Sequence, residues 1–192
     1  MEKETRSFEI EELRLMGDEK QPKITGHAAL FNKLSEPLPG FREKIAPGAF
    51  ADSIKTDDIR ALFNHDANYV LGRNKAGTLK LVEDEQGLAI EIDPPNTQWA
   101  KDLQESIRRG DISQMSFGFV VQDDDWQQSK GKDAVRTLKT VKLFDVSPVT
   151  YPAYPQTSVK VRDYLKSMEA TDETQAVKQP APNLDSLKWK IK

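Results

Sequence analysis

The stretch Gln114-Met115-Ser116-Phe117-Gly118-Phe119-Val120-Val121 sets a hydroxyl among apolar residues. Successive side chains of a strand point to opposite faces. Met115, Phe117, Phe119 and Val121 therefore form one apolar face, and Gln114, Ser116 and Gly118 the other. A serine on a rigid strand, beside the empty position of a glycine, is a good mount for a nucleophile. The same pattern suits any half-buried strand, and on pattern alone that plainer reading is favoured. A serine nucleophile needs a base and a group that orients the base. The chain has only two histidines. His65 follows the apolar run Ile59-Arg60-Ala61-Leu62-Phe63 in the polar turn Asn64-His65-Asp66, from which an imidazole can reach a neighbouring strand. Imidazole as a residue type suits a general base, although an exposed turn histidine is the commoner outcome of such spacing. His27 lies inside an apolar segment and reads as a packed histidine. Asp145 interrupts Leu143-Phe144-Asp145-Val146. A carboxylate there is costly to bury unless it is hydrogen-bonded. It can orient an imidazole as the acid of a triad does, or cap the turn toward Ser147-Pro148, and spacing leaves both open.

Composition narrows the remaining chemistry. With 192 residues the chain holds one domain with a proper core and a tail. It has no cysteine, which excludes disulfides, thiolate metal sites and cysteine catalysis. The lack of cysteine fits a reducing cytoplasm. No run approaches the roughly 20 apolar residues of a membrane span, and the charged start Met1-Glu2-Lys3-Glu4-Thr5-Arg6 lacks the apolar core of a signal peptide. The net charge of −3 comes from interspersed signs with no basic stripe, so neither nucleic acid nor membrane is expected as a partner. No phosphate-cradling glycine loop and no paired-histidine zinc signature occurs. Asp123-Asp124-Asp125 lacks the glycine and glutamate of a calcium loop and reads as a solvated hairpin tip. No cofactor and no metal is expected.

The elements that must position these residues are mostly strands. Phe8, Ile10, Leu13 and Leu15 read as one strand with a bulge at the phase slip. Residues 24–31 form a second strand, and residues 32–48, rich in proline and glycine, a loop. One helical turn over 49–55 leads to a strand over 59–63. Residues 69–72 are a short apolar piece, and 79–82 with 88–92 make a hairpin. A helix follows with Asn96 or Thr97 as N-cap, Trp99, Leu103 and Ile107 as its core stripe, and Gly110 past its end. Residues 123–133 are a polar hairpin loop, and a return strand runs over 135–149. Residues 159–170 suggest a short helix, residues 171–186 have linker composition, and 187–192 are a basic-aromatic tag. Many short strands around one good helix predict a mainly β (α+β) fold, a barrel with helical decoration.

Several motifs resemble those of one family. Ile24-Thr25-Gly26-His27-Ala28-Ala29-Leu30-Phe31-Asn32 and Glu43-Lys44-Ile45-Ala46-Pro47-Gly48-Ala49-Phe50 resemble the opening motifs of the tailed-phage prohead proteases. Leu62-Phe63-Asn64-His65-Asp66 with Leu71-Gly72-Arg73 resembles their histidine motif. Residues 110–119 resemble the serine motif and residues 143–154 the third. The motifs run in order from about residue 23 to 160. The family is similar to the herpesvirus assemblins, so the resemblance implies a herpesvirus-protease-like β-barrel wrapped by a few helices. It implies Ser116 as nucleophile, His65 as base and Asp145 as the third member. That third position is often Glu in the phage enzymes and His in the herpesvirus ones. Ser113 is the competing nucleophile, nearer the helix end and on the opposite strand parity. The resemblance also implies a serine endopeptidase inside an assembling prohead in the host cytoplasm. There it would cleave scaffold protein, or a scaffolding segment of the major capsid protein, and itself, and a homodimer would fit. On this reading residues 1–160 are the protease domain and 161–192 a C-terminal helix, linker and tail. A different class, a non-catalytic β-barrel acting as an internal scaffold or assembly module, would leave the triad-like residues incidental.

Overall fold

The computed structural model describes residues 3–9, 13–17, 22–38, 40–128 and 133–151. The organising elements are two long strands, β9 (Gln114–Gln127) and β10 (Ala134–Val149), paired antiparallel. β1 (Glu4–Glu9) adds to the free side of β9. β10 in turn pairs parallel with β4 (Phe41–Ile45) at its start and with β5 (Arg60–Phe63) near its end, and β6 (Asp66–Arg73) closes a hairpin on β5. The second sheet has the order β2-β3-β8-β7. Its members are β2 (Arg14–Met16), β3 (Lys23–Leu30), β7 (Leu79–Glu83) and β8 (Gly87–Ile92). Two α-helices are described, the short α1 (Ser53–Thr56) and α2 (Gln98–Arg109), besides one 3-10 turn at Asn74–Ala76. None is long and apolar enough to cross a membrane.

The fold is mainly β, but its strands form two open sheets. Hydrogen bonding runs from β1 to β6 in one and from β2 to β7 in the other. A closed barrel, expected from strand number and resemblance, is therefore absent among the described residues. The core lies between the sheets: Met115, Phe117 and Phe119 of β9 meet Ile24, Leu88, Ile90 and Ile92 of the second sheet. Phe50 meets the Phe117 ring edge-on, with centroids 5.5 Å apart. The α2 stripe behaves as its spacing requires, with Leu103 and Ile107 buried and Gly110 in the left-handed C-cap conformation that spares glycine a Cβ clash.

Three local expectations are corrected. The single bulged strand over residues 8–15 is two strands in different sheets, β1 on β9 and β2 on β3, so the phase slip marks a change of sheet. The loop over 32–48 contains β4, whose alternate residues Phe41, Glu43 and Ile45 are buried, and the buried glutamate hid the apolar alternation. Asp123 to Asp125 are not a hairpin tip. They lie within β9, where Asp124 accepts a 2.7 Å bond from Arg136 Nε, and Arg136 lies over the Trp126 ring. The expected helix over 159–170, the tail and the domain boundary at residue 160 lie outside the described residues.

A buried ionic cluster ties β1, β4 and β10 together. Arg6 donates to Glu43 Oε1 at 2.8 Å and to Glu4 Oε2 at 2.6 Å, while Arg136 donates to Glu4 Oε2 at 3.1 Å and to Glu43 Oε2 at 3.2 Å. Burial pushes the Glu43 carboxyl up from its ordinary value, and Arg6 and Arg136 only partly offset that. Removing one cation from such a cluster leaves carboxylates buried and underpaired. Arg136→Met should therefore cost about 3–5 kcal/mol of unfolding free energy by urea titration; a loss below about 1 kcal/mol would contradict this role.

Candidate active site

Two local irregularities bring the hydroxyl, imidazole and carboxylate onto one face. The first is a bulge in β10. Leu143 lies opposite Phe119, yet Asp145 lies opposite Gly118, so Phe144 is the extra residue. Without it, alternation would turn Asp145 toward the core side with Phe117. With it, Asp145 and Ser147 share a face with Gly118 and Ser116, their cross-strand partners. The second is the β5–β6 turn. Asn64 and His65 both have positive φ, 53° and 59°, between the paired residues Phe63 and Asp66. Two consecutive left-handed residues make the tight turn whose twist suits a hairpin. Asparagine tolerates this conformation and histidine less so. The turn is anchored to the end of β10: the Asn64 amide donates to Pro148 O at 3.0 Å, and the Thr150 amide donates to Asn64 Oδ1 at 2.9 Å. Because β5 runs parallel to β10, this anchor carries His65 over the Ser116–Ser147 pair.

The resulting contacts form a chain. His65 Nε2 is 2.7 Å from Ser116 Oγ, and His65 Nδ1 is hydrogen-bonded to Asp145 Oδ2. A carboxylate only accepts, so the imidazole proton sits on Nδ1 and leaves Nε2 as the acceptor for the serine hydroxyl. Ser147 Oγ donates to the same Asp145 Oδ2 at 3.0 Å, and Lys3 Nζ donates to Oδ1 at 2.7 Å. Burial alone would push the Asp145 carboxyl up, but the His65 hydrogen bond and then the Lys3 ammonium hold it below the ordinary carboxylate value. The acid therefore stays ionised while its surroundings are dry. Ser116 has a second acceptor, the Arg6 carbonyl of β1 at 2.8 Å. Its one proton can turn to Nε2 or to that carbonyl. Ser116 itself has 0% exposure.

Ser116, His65 and Asp145, singled out from the sequence, are thus brought together. Ser113 is exposed in the turn before β9, and His27 lies in the second sheet with Nε2 2.8 Å from Asp84. Ser147, Lys3, Asn64 and the Arg6 carbonyl were missed. Only Ser147 left a signal, being two residues from Asp145 on one strand. Among the described residues no three His, Asp or Glu side chains converge as metal ligands. The chemistry available is that of a hydroxyl activated by an imidazole beside an ionised carboxylate. Asn64→Ala should destabilise the protein by roughly 1–2 kcal/mol through left-handed strain and lost bonds to Thr150. Asn64→Gly, which keeps the conformation, should lose less; thermal melting of both variants checks the order.

Residues 6–174 match the caudovirus prohead serine protease family. The prohead protease of Enterobacteria phage HK97 is 28% identical over 168 residues, covering 86% of this chain and 71% of that protein. No solved structure matches the chain significantly. With the match spanning most of its length, the chain belongs to the caudovirus prohead serine protease family, a family of serine peptidases.

Proposed function

We propose that Ser116 is the nucleophile, His65 the general base and Asp145 the orienting acid of a capsid-maturation endopeptidase. The reading rests above all on the hydrogen-bonded relay from Ser116 Oγ through His65 to Asp145. His65 Nε2 takes the hydroxyl proton as Oγ attacks the scissile carbonyl. The imidazolium then gives that proton to the leaving amine, and the acyl-enzyme is hydrolysed by a water activated in the same way. Asp145 keeps the proton of the resting imidazole on Nδ1 and stabilises the imidazolium. Ser116 is fully buried, so the hydroxyl must become accessible to the scissile carbonyl before attack. The substrates are scaffold protein or a scaffolding segment of the capsid protein, and the enzyme itself, inside the assembling prohead. Confinement there raises effective concentration, so weak substrate binding suffices.

Family membership and the relay favour this over a non-catalytic assembly module. Ser116→Ala should leave a folded protein that does not process a co-expressed capsid or scaffold partner. Asp145→Asn should lower kcat on the order of 10⁴-fold by favouring the wrong tautomer. Normal processing by Ser116→Ala would refute the assignment. The protease domain is taken to span residues 1–160, with residues 161–192 as a C-terminal helix, linker and tail of which residues 171–192 are a dispensable tether or tag. A chain ending at residue 170 should therefore keep its fold and its cleavage activity, and unfolding of that truncation would contradict it.

A further inference from the structure

Asp145 is held from two sides. Its Oδ2 takes the His65 Nδ1–H and the Ser147 hydroxyl, and its Oδ1 takes Lys3 Nζ at 2.7 Å. Lys3 comes from the residue just before β1, in line with the face that carries Thr5 opposite Gly118 and Ser7 opposite Ser116. It reaches the carboxylate through a gap that Gly118 leaves. A Cβ at position 118 would lie 2.5 Å from Asp145 Oδ1 and 2.6 Å from Lys3 Cε. The glycine beside the serine is thus the opening through which a third strand touches the acid. The Lys3 ammonium also lies 5.8 Å from the Phe144 ring, the bulged residue, which helps to seat it.

From this geometry, and resting on the triad reading above, we infer that Lys3 is a positioning residue for the peptidase reaction. It pins Asp145 Oδ1 so that Oδ2 addresses His65, and its charge tempers the pull of the carboxylate on the imidazolium. Among the described residues, the other charged groups near Asp145 have other partners. Arg60, its register partner on β5, bonds Asp58 at 3.2 Å, and Lys142 on β10 lies 4.0 Å from Asp57 and 5.7 Å from the centre of the Phe144 ring, with no bond to Asp145 among those described. Arg6 of β1 points to Glu4 and Glu43 on the opposite face. Lys3 is therefore the cation set against the His65–Asp145 pair.

The sign of its effect follows from electrostatics. A lone carboxylate stabilises the imidazolium, and a cation on the same carboxylate offsets part of that stabilisation. Removing the cation keeps His65 protonated to higher pH, where it cannot act as base. The test is the acid limb of the kcat/KM–pH profile on a peptide carrying a cleavable segment, with melting curves as a folding control. Lys3→Met should move that limb upward by about half a pH unit or more, with the loss concentrated in kcat. Lys3→Arg should return it toward the wild-type position. Lys3→Gln keeps a hydrogen-bond donor without the charge and should shift the limb as Lys3→Met does, so it serves if the methionine variant fails to fold. An unmoved limb in both neutral variants, or an equal shift in Lys3→Arg, overturns the inference. The triad reading fails separately, through activity that survives Ser116→Ala.

Discussion

The pairing of β9 with β10 is the constraint on which the rest depends. It places Ser116 opposite Ser147 and Gly118 opposite Asp145, both beyond the bulge that follows Leu143. A period-two ladder would otherwise turn the acid to the core side, since shifting parity by one residue flips every later side chain. The bulge at Phe144 thus converts an ordinary amphipathic strand pair into a surface where hydroxyl and carboxylate meet. The apolar parity is kept on both sides of it: Leu143 stands against Phe119 and Val146 against Phe117, all four buried. Core packing and site geometry are therefore two faces of one ladder.

The imidazole is delivered by a different device. β5 is short and parallel to β10, and the strained Asn64-His65 turn would have no fixed direction without its bonds to Pro148 and Thr150. Positive φ at a histidine is uncommon and persists where surrounding structure over-determines it. β1 is fixed on the other flank by the buried cluster of Arg6, Glu4, Glu43 and Arg136, which serves as a clamp rather than as net stabilisation. So fixed, β1 offers the Arg6 carbonyl to Ser116, and Lys3 just before it offers an ammonium to Asp145. One edge strand closes the core with one face and touches the site with the other.

Much of this was legible in sequence where a periodic pattern met a chemical exception. The β9 alternation located the serine, the apolar run before Asn64-His65 located the histidine, and a carboxylate inside an apolar strand drew attention to Asp145. The hairpin of β7 with β8 and the α2 stripe followed from periodicity, and the mainly β class followed from strand number. Contacts between residues distant in sequence were not legible. Lys3 is one of many charged residues near the start, and nothing local links it to a position 142 residues away. β4 was lost because Glu43 occupies a buried position that only Arg6 and Arg136 make tolerable. Asp123 and Asp125 are exposed as expected, but the partner of Asp124, Arg136, comes from the neighbouring strand and left no local sign. The open order of the two sheets, in place of the expected barrel, depends on which strands are left unpaired at the edges, and strand count does not fix that.

On the proposed reading Ser116 is the attacking hydroxyl, activated by His65. The most direct measurement is labelling by a serine-directed fluorophosphonate of protein that is actively processing its substrate, with the modified residue mapped by mass spectrometry. The label is expected on Ser116 and is expected to be lost in His65→Ala. Active protein labelled at Ser113 or another serine, with Ser116 unmodified, would contradict it.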